Sequence, residues 1–261
     1  MTGFGKVYLI GAGPGAQDLM TLRGARLLAQ AGVVLHDALV TAEMLELCPQ
    51  AEKILVGKRC GELSTAQAFI NQQLIVYAEK QAVVVRLKGG DPMLFGRADE
   101  ELRALEEAGI EVEVVPGITT ALAAAAATRQ PLTKRGVARS VTFFTSATAP
   151  EEPGAFAVSG AETLVQYMGG REAVATARRL LDQGRCADTP AIVIENCSRP
   201  GQRIFRLTLA SMALGNMGHA LGLGQGPVLV MVGQAMQRRQ HQVSDPEQSI
   251  LVALPARAAS R

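Results

Sequence analysis

The sequence predicts an α/β protein of two domains, with a mainly parallel sheet in the first and a mixed sheet in the second. Three observations lead there. Short β-branched runs alternate with helical segments through the first half of the chain. After VVPGITT (114–120) the helices become fewer and hairpin-like connections become possible. The 261 residues are 48% apolar and 19% charged, which is core material for one large domain or two ordinary ones.

The elements follow in order. KVYLI (6–10), VVLH (33–36), KILV (53–56), AVVVRL (82–87) and VEVV (112–115) are rich in β-branched residues and read as strands. Between them, residues 21–31 and 65–80 carry helical patterns, the first closed by Gly32. A further helix starts at Arg97 and Ala98 and ends at Gly109. The alternation argues for parallel strands covered by helices. A domain boundary is expected at Pro116 and Gly117, giving domains over 1–116 and 117–238. The second domain opens with an alanine-rich helix (121–127). Strands follow at SVTFFT (140–145), TLVQYM (163–168), AIVIEN (191–196), RIFRLTL (203–209) and PVLVMV (227–232), with one main helix over 172–183. Residues 147–160 read as a loop. Residues 239–261 read as a tail in which SILVAL (249–254) has the pattern to dock. The chain shows no internal repeat.

Composition removes several functions. With 26 basic and 24 acidic side chains, the net charge of +2 gives no general field for nucleic acid. An anionic ligand must therefore meet a local basic cluster. Cys48, Cys60, Cys186 and Cys197 are scattered, as are His36, His219 and His241, so neither a metal site nor a disulfide framework is expected. No apolar stretch is long enough to span a bilayer and no leader is legible. A soluble, reduced, cytoplasmic protein is expected.

Two glycine loops carry chemistry. GAGPGA (11–16) follows the first strand and nearly fits the dinucleotide fingerprint, with Asp37 at the second strand end as a ribose partner. Pro14 opposes that reading, because it removes an amide where a diphosphate needs one. A tight strand-to-helix turn and a loop shaped for a ligand without phosphate stay open beside it. VVRLKGGDPMLFGR (84–97) feeds a strand into Gly89, Gly90 and Asp91, a backbone that a ligand can approach closely beside one carboxylate.

Taken in order, GAGPG (11–15), HDALV (36–40), VGKR (56–59), VVRLKGGDPMLFGR (84–97), VVPGITTALAA (114–124), PLTKRGVARSVTF (131–143), LVQYMGG (164–170) and IVIEN (192–196) resemble the S-adenosylmethionine-dependent tetrapyrrole methylases. The resemblance covers roughly residues 6–236. It implies the two-domain tetrapyrrole methylase fold, a homodimer, and S-adenosyl-L-methionine in the cleft between the domains, with S-adenosyl-L-homocysteine as product. It is greatest to members that methylate C2 and C7 of uroporphyrinogen III to give precorrin-2 for sirohaem, cobalamin or haem d1.

Site residues are carried over from that resemblance. Pro14, Gly89, Gly90, Asp91, Leu94, Thr119, Thr120, Met168, Cys197 and Val228 fall at cofactor positions. Asp37 falls at the proton acceptor and Lys58 at the donor, although a lysine near its reference pKa of ~10.4 is a weak acid at neutral pH. Arg59, Arg97 and Arg135 are the expected clamps for the acidic macrocycle, since a planar guanidinium binds a carboxylate through two hydrogen bonds. Arg97 also joins the catalytic set, and Glu100 is expected to receive pyrrole N–H groups or orient Arg97. Without the family, plainer readings stand. Met168 is then strand core, Thr119 and Thr120 an N-cap, Arg97 and Glu100 an i,i+3 surface pair. Asp37 becomes a turn residue, and Lys58, Arg135 and Arg139 become solvated cations.

The chain departs from the family pattern at GELS (61–64), at Lys134, at Ala98 and Asp99 where glycines are usual, and at Cys197 where glycine is usual. The loop before TLVQYM is short and lacks the usual Asp-Trp. Asp99 adds negative charge near the expected seat of a polyanion. Three other functions are weighed: another precorrin methyltransferase of this fold, a nicotinamide-dependent oxidoreductase built on GAGPGA, and a non-catalytic cofactor-binding module.

Overall fold

The computed structural model describes residues 3–56, 64–146, 160–214, 217–238 and 249–251. Two units are distinguished, Met1–Thr120 and Ala121–Arg261. The sequence placed the boundary slightly earlier, before Gly117, and this division falls after Thr120.

In the first unit the chain runs β1 (Lys6–Gly11), α1 (Leu22–Leu28), β2 (Val33–His36), α2 (Ala42–Leu45), β3 (Glu52–Leu55), α3 (Ser64–Ala78), β4 (Val83–Lys88), α4 (Ala98–Glu107) and β5 (Val112–Val115). The sheet order is β3-β2-β4-β1-β5 and every pairing is parallel. Successive side chains of a strand point to opposite faces, and here both faces are filled. Val7, Leu9, Val33, Leu35 and Val84 pack with Ile70 and Leu74 of α3 and Leu105 of α4. Ile10, Val34, Val85 and Leu87 pack with Leu28 of α1 and Met44 of α2 on the other side. That two-sided burial is why these strands are near-continuous apolar runs. The neighbours β1 and β4 are followed by helices on opposite faces, so their carboxyl ends form a topological switch point, where ligands of open α/β sheets bind.

The second unit contains α5 (Thr120–Thr128), β6 (Val141–Thr145), β7 (Thr163–Tyr167), α6 (Gly169–Asp182), β8 (Pro190–Glu195), β9 (Arg203–Thr208), α7 (Leu209–Ala213), α8 (Met217–Ala220), β10 (Val228–Val232) and β11 (Ser249–Leu251). Its sheet is mixed, in the order β11-β9-β8-β10-β7-β6. The β6/β7 and β9/β11 pairs are parallel and the remaining pairs antiparallel. Phe144, Leu164, Val193, Phe205 and Val230 pack against Ala173, Ala177 and Leu180 of α6 and Met212 of α7.

Several boundaries differ from the sequence reading, each for a local reason. Helix α1 begins at Leu22 because Thr21 is its N-cap, accepting from the Gly24 amide at 3.1 Å. Arg97 is likewise outside α4, a left-handed N-cap with φ 55°. Helix α6 starts at Gly169, before the expected residue 172. A Cβ on Gly169 would lie 2.8 Å from Val230 Cγ2, so glycine here serves helix-to-sheet packing rather than helix breaking. The strand expected over 203–209 stops at Thr208, whose hydroxyl accepts from the Ser211 amide and caps α7. Within the expected tail, Ser249–Leu251 is an edge strand beside β9. All of the expected loop over 147–160 except Gly160 lies outside the described residues.

A close backbone approach in the first unit joins Gly11, Gly90 and Gly117. A Cβ on Gly117 would lie 2.3 Å from Gly90 O and 2.7 Å from Gly11 Cα. Backbone cannot yield as a side-chain tip does, so Gly117→Ala is expected to destabilise by about 1–3 kcal/mol, as overpacking does. Thermal unfolding should then show a melting point several degrees lower. An unchanged melting point would contradict this packing.

Candidate functional site

The carboxyl edge of the first unit's sheet gathers the segments that leave β1, β2, β4 and β5. Gly13 and Gly90 form an isolated backbone bridge, with Gly13 N donating to Gly90 O at 3.1 Å and Gly90 N to Gly13 O at 2.7 Å. Ala12 N donates to Lys88 O at 2.8 Å. Gly13 (φ 79°) and Gly90 (φ 71°) both hold left-handed backbone that side chains disfavour. These bonds fasten the loop after β1 to the loop after β4.

Two carboxylates extend the fastening. Asp91 Oδ1 accepts from Met93 N at 2.8 Å, and its Oδ2 accepts from Gly117 N at 2.9 Å. The β4 loop is thereby tied to the residue that follows β5 and Pro116. Asp37, at the end of β2, accepts from Leu39 N at 2.8 Å through Oδ1 and from Gly89 N at 3.1 Å through Oδ2. Each carboxylate oxygen carries a second lone pair, so both residues keep acceptor capacity toward a ligand. Leu94 closes the turn begun by Asp91, its amide donating to Asp91 O at 3.3 Å.

This geometry answers the fingerprint question. The Ala12 and Gly13 amides are engaged by β4 and its loop, and Pro14 has none. Nor does a helix start after the loop: a short 3-10 turn (Gln17–Leu19) intervenes, and α1 begins only at Leu22. A diphosphate needs free amides at a helix N-terminus. The loop fits a ligand approached through close backbone contact and carrying no phosphate, which argues against the nicotinamide alternative.

Arg97 and Glu100 stand at the head of α4. Nε of Arg97 donates to Glu100 Oε1 at 2.6 Å and its Nη2 to Oε2 at 2.7 Å, a two-bond fork with both side chains part-exposed. Screening makes such an exposed pair worth little to stability, and its guanidinium stands within reach of solutes. Phe95 (φ 52°) and Arg97 (φ 55°) flank Gly96 in left-handed conformations uncommon for such side chains. Of the departures, Ala98 is buried in the core and Asp99 pairs with Arg103 at 3.0 Å. The Asp99 charge is thus met by a cation on its own helix. Lys58 and Arg59 lie outside the described residues.

The remaining candidates lie at the end of the first unit (Thr119 and Thr120) and in the second unit. Met168 is 51% exposed with φ 56°, the N-cap of α6, and so is a presented side chain rather than strand core. Cys197 is buried between the left-handed Asn196 and Ser198, and burial pushes its thiol pKa up. Val228 is buried at the start of β10, and the Pro227 carbonyl just before it accepts from Asn196 N at 3.0 Å. Arg135 and Lys134 are exposed on a tight turn closed by the Lys134/Ala138 backbone bridge. Thr120 is the first residue of α5, and Thr119 precedes it.

Sequence reasoning missed a buried group behind this edge: Arg86 and Lys88 of β4, Glu101 of α4 and Gln67 of α3. Its signal was present in VVRLK, where Arg and Lys recur at the strand period of two inside an apolar run. Among the described residues, no cluster of His, Cys, Asp and Glu could hold a metal, and no helix is long and apolar enough to cross a membrane.

Known proteins share this architecture. The chain is 44% identical over 240 residues to a siroheme synthase of Pseudomonas fluorescens (strain Pf0-1), covering 90% of this chain and 51% of that protein. It spans about half the length of the curated relatives it matches. Among solved structures, the uroporphyrin-III C-methyltransferase of Thermus thermophilus complexed with S-adenosylhomocysteine superposes with a TM-score of 0.76 at 38% identity, over 89% of this chain and 94% of that one. A cobalt precorrin-4 methyltransferase superposes with a TM-score of 0.73 at 26% identity, over 89% and 96%. The model of the tetrapyrrole (corrin/porphyrin) methylases matches residues 6–213, and the chain belongs to that family.

Proposed function

We propose that this chain transfers methyl groups from S-adenosyl-L-methionine to C2 and C7 of uroporphyrinogen III, giving precorrin-2. The observation that carries the reading is its 38% identity, over 89% of the chain, to the uroporphyrin-III C-methyltransferase solved with S-adenosylhomocysteine. Identity to the cobalt precorrin-4 methyltransferase is lower, at 26%, which favours uroporphyrinogen III over a later precorrin. The proposal is confined to methyl transfer.

The residues present fit the cofactor. When bound, it supplies a methyl group on a cationic sulfur already activated for departure. Gly13, Gly90 and Gly117 allow backbone to approach an adenosine closely, and no diphosphate has to be met. Asp37 and Asp91 are fixed by backbone amides, so their free lone pairs point without reorganisation toward developing or resident positive charge. Attack by a pyrrole carbon depends on alignment of the reactants, and the macrocycle's proton must then be relocated. Asp37 is the residue assigned to receive it and Lys58 to supply one. Arg97, with Arg59 and Arg135, grips the carboxylates of the macrocycle, while Glu100 holds the Arg97 fork until a substrate carboxylate replaces it. The reading includes a homodimer and a cytoplasmic setting. Free thiols at Cys48, Cys186 and Cys197 support a reducing compartment.

The decisive experiment is an anaerobic incubation of the protein with uroporphyrinogen III and labelled S-adenosylmethionine. Transfer of two methyl groups per macrocycle is expected, and cofactor binding without transfer would sink the reading. Arg97→Ala should raise KM for the macrocycle about tenfold or more, the loss of one charge-assisted contact. Its affinity for S-adenosylhomocysteine should hold. Asp91→Ala should do the reverse, because it releases the Gly117 amide and loosens the glycine loops; equal effects of both variants on both ligands would refute the role assignment. Asp37→Asn retains an acceptor for only one of the Leu39 and Gly89 amides and cannot accept a proton, so kcat should fall by roughly 10²–10⁴ while affinity for S-adenosylhomocysteine changes far less. Wild-type kcat in that variant would remove Asp37 from the chemistry.

A further inference from the structure

Behind the exposed Arg97/Glu100 fork lies a set of charges that methyl transfer does not use. Arg86 is 4% exposed, Lys88 3% and Glu101 0%. Arg86 Nε donates to Glu101 Oε1 at 2.9 Å, Lys88 Nζ to Glu101 Oε2 at 2.7 Å, and Gln67 Nε2 to Glu101 Oε1 at 3.3 Å. Arg86 Nη1 also reaches Leu87 O at 3.1 Å. Burying an ion costs several kcal/mol before any pairing is counted, and well-packed apolar side chains would hold a helix on a sheet as well or better. Stability alone therefore does not account for the group.

Its geometry points at the fork. Glu101 is one helical turn beyond Arg97 and next to Glu100. Lys88 passes directly beneath Gly96: a Cβ there would lie 3.1 Å from Lys88 Cε and 2.7 Å from Pro92 O. On either side of Gly96 the backbone of Phe95 and Arg97 is left-handed. Such conformations persist only where the surroundings over-determine them. Here the turn is backed by the Lys88 stem, and the helix that follows is anchored through Glu101. Asn71 adds a tie from α3, donating to Glu100 O at 3.1 Å. We propose that Lys88 and Glu101 are positioning residues for Arg97, holding the 95–97 turn so that its guanidinium is preset to bind a carboxylate of the acidic macrocycle. The proposal rests on the reading of the preceding subsection for the identity of that ligand. Burial and the neighbouring Arg86 charge lower the Lys88 pKa, while Glu101 and Asp37 oppose that shift.

The test uses Lys88→Met, which keeps the stem beneath Gly96 and leaves Glu101 paired with Arg86, and Glu101→Gln, which keeps the shape. In each, backbone amides of 95–97 should exchange with deuterium about tenfold faster, with the Gly13 and Gly90 amides unchanged. KM for uroporphyrinogen III should rise roughly tenfold with S-adenosylhomocysteine affinity within about twofold, the mark of lost substrate positioning rather than general damage. Unchanged exchange, faster exchange with unchanged KM, or an equal loss of cofactor affinity would each overturn the proposal. If Glu101→Gln does not fold, Lys88→Met decides alone. If the wild-type protein methylates nothing, the preceding reading fails, and the exchange comparison still decides whether Lys88 and Glu101 hold the turn.

Discussion

Everything at the carboxyl edge of the parallel sheet depends on backbone meeting backbone without side chains between. Gly11, Gly90 and Gly117 approach so closely that a methyl group on Gly11 or Gly117 would enter a neighbour's main chain. Because β1, β4 and β5 are adjacent, the loops that leave them must share one narrow space. Glycine makes that possible, and the Gly13/Gly90 bridge uses the approach to satisfy amides that would otherwise be buried without partners. The result is a floor of peptide groups rather than side chains, suited to a flat, uncharged nucleoside. It is poorly suited to a diphosphate, since the Ala12 and Gly13 amides are already engaged and Pro14 has none.

The two aspartates follow from the same constraint. Loops with so few side chains have little to hold them by packing, and carboxylates accepting two backbone amides each supply what packing cannot. Asp91 reaches from the β4 loop to Gly117, and Asp37 reaches from the β2 loop to Gly89. Charged acceptors make these bonds stronger than neutral ones. Negative charge and loop rigidity thus come from the same atoms, so a carboxylate serving a cationic ligand need not be reorganised on binding.

How much of this was legible in the sequence depended on the range of the interaction. Strands β1, β2, β4 and β5 were readable because burial on both faces leaves a local apolar run. The glycine loops were readable as unusual backbone, and in order they carried the family. The start of α6 and the cap that opens α4 were not, because Met168 and Arg97 adopt left-handed conformations that residues of their type take only under tertiary constraint. Met168 shows the cost of reading pattern alone: an apolar residue after an apolar strand looks like core, yet half of it is exposed. Asp91 was recognised as a lone carboxylate, but its partner Gly117 lies 26 residues away, beyond any local pattern.

The buried charges carry the argument one step further. Arg86 and Lys88 on one face of β4 bring two basic groups to a single carboxylate, Glu101. A balanced surface charge on the whole chain gives no attraction for a polyanion at a distance, since exposed charges more than about 10 Å away are screened. A cation kept out of water beneath the 95–97 turn is screened far less, and the Lys88 Cε lies 3.1 Å from where a Cβ on Gly96 would stand. On the proposal above, the bond to Glu101 that keeps this cation in place is also what holds the turn over it. Lys88→Met removes the bond to Glu101 while keeping the stem beneath Gly96, so the tie and the charge are lost together.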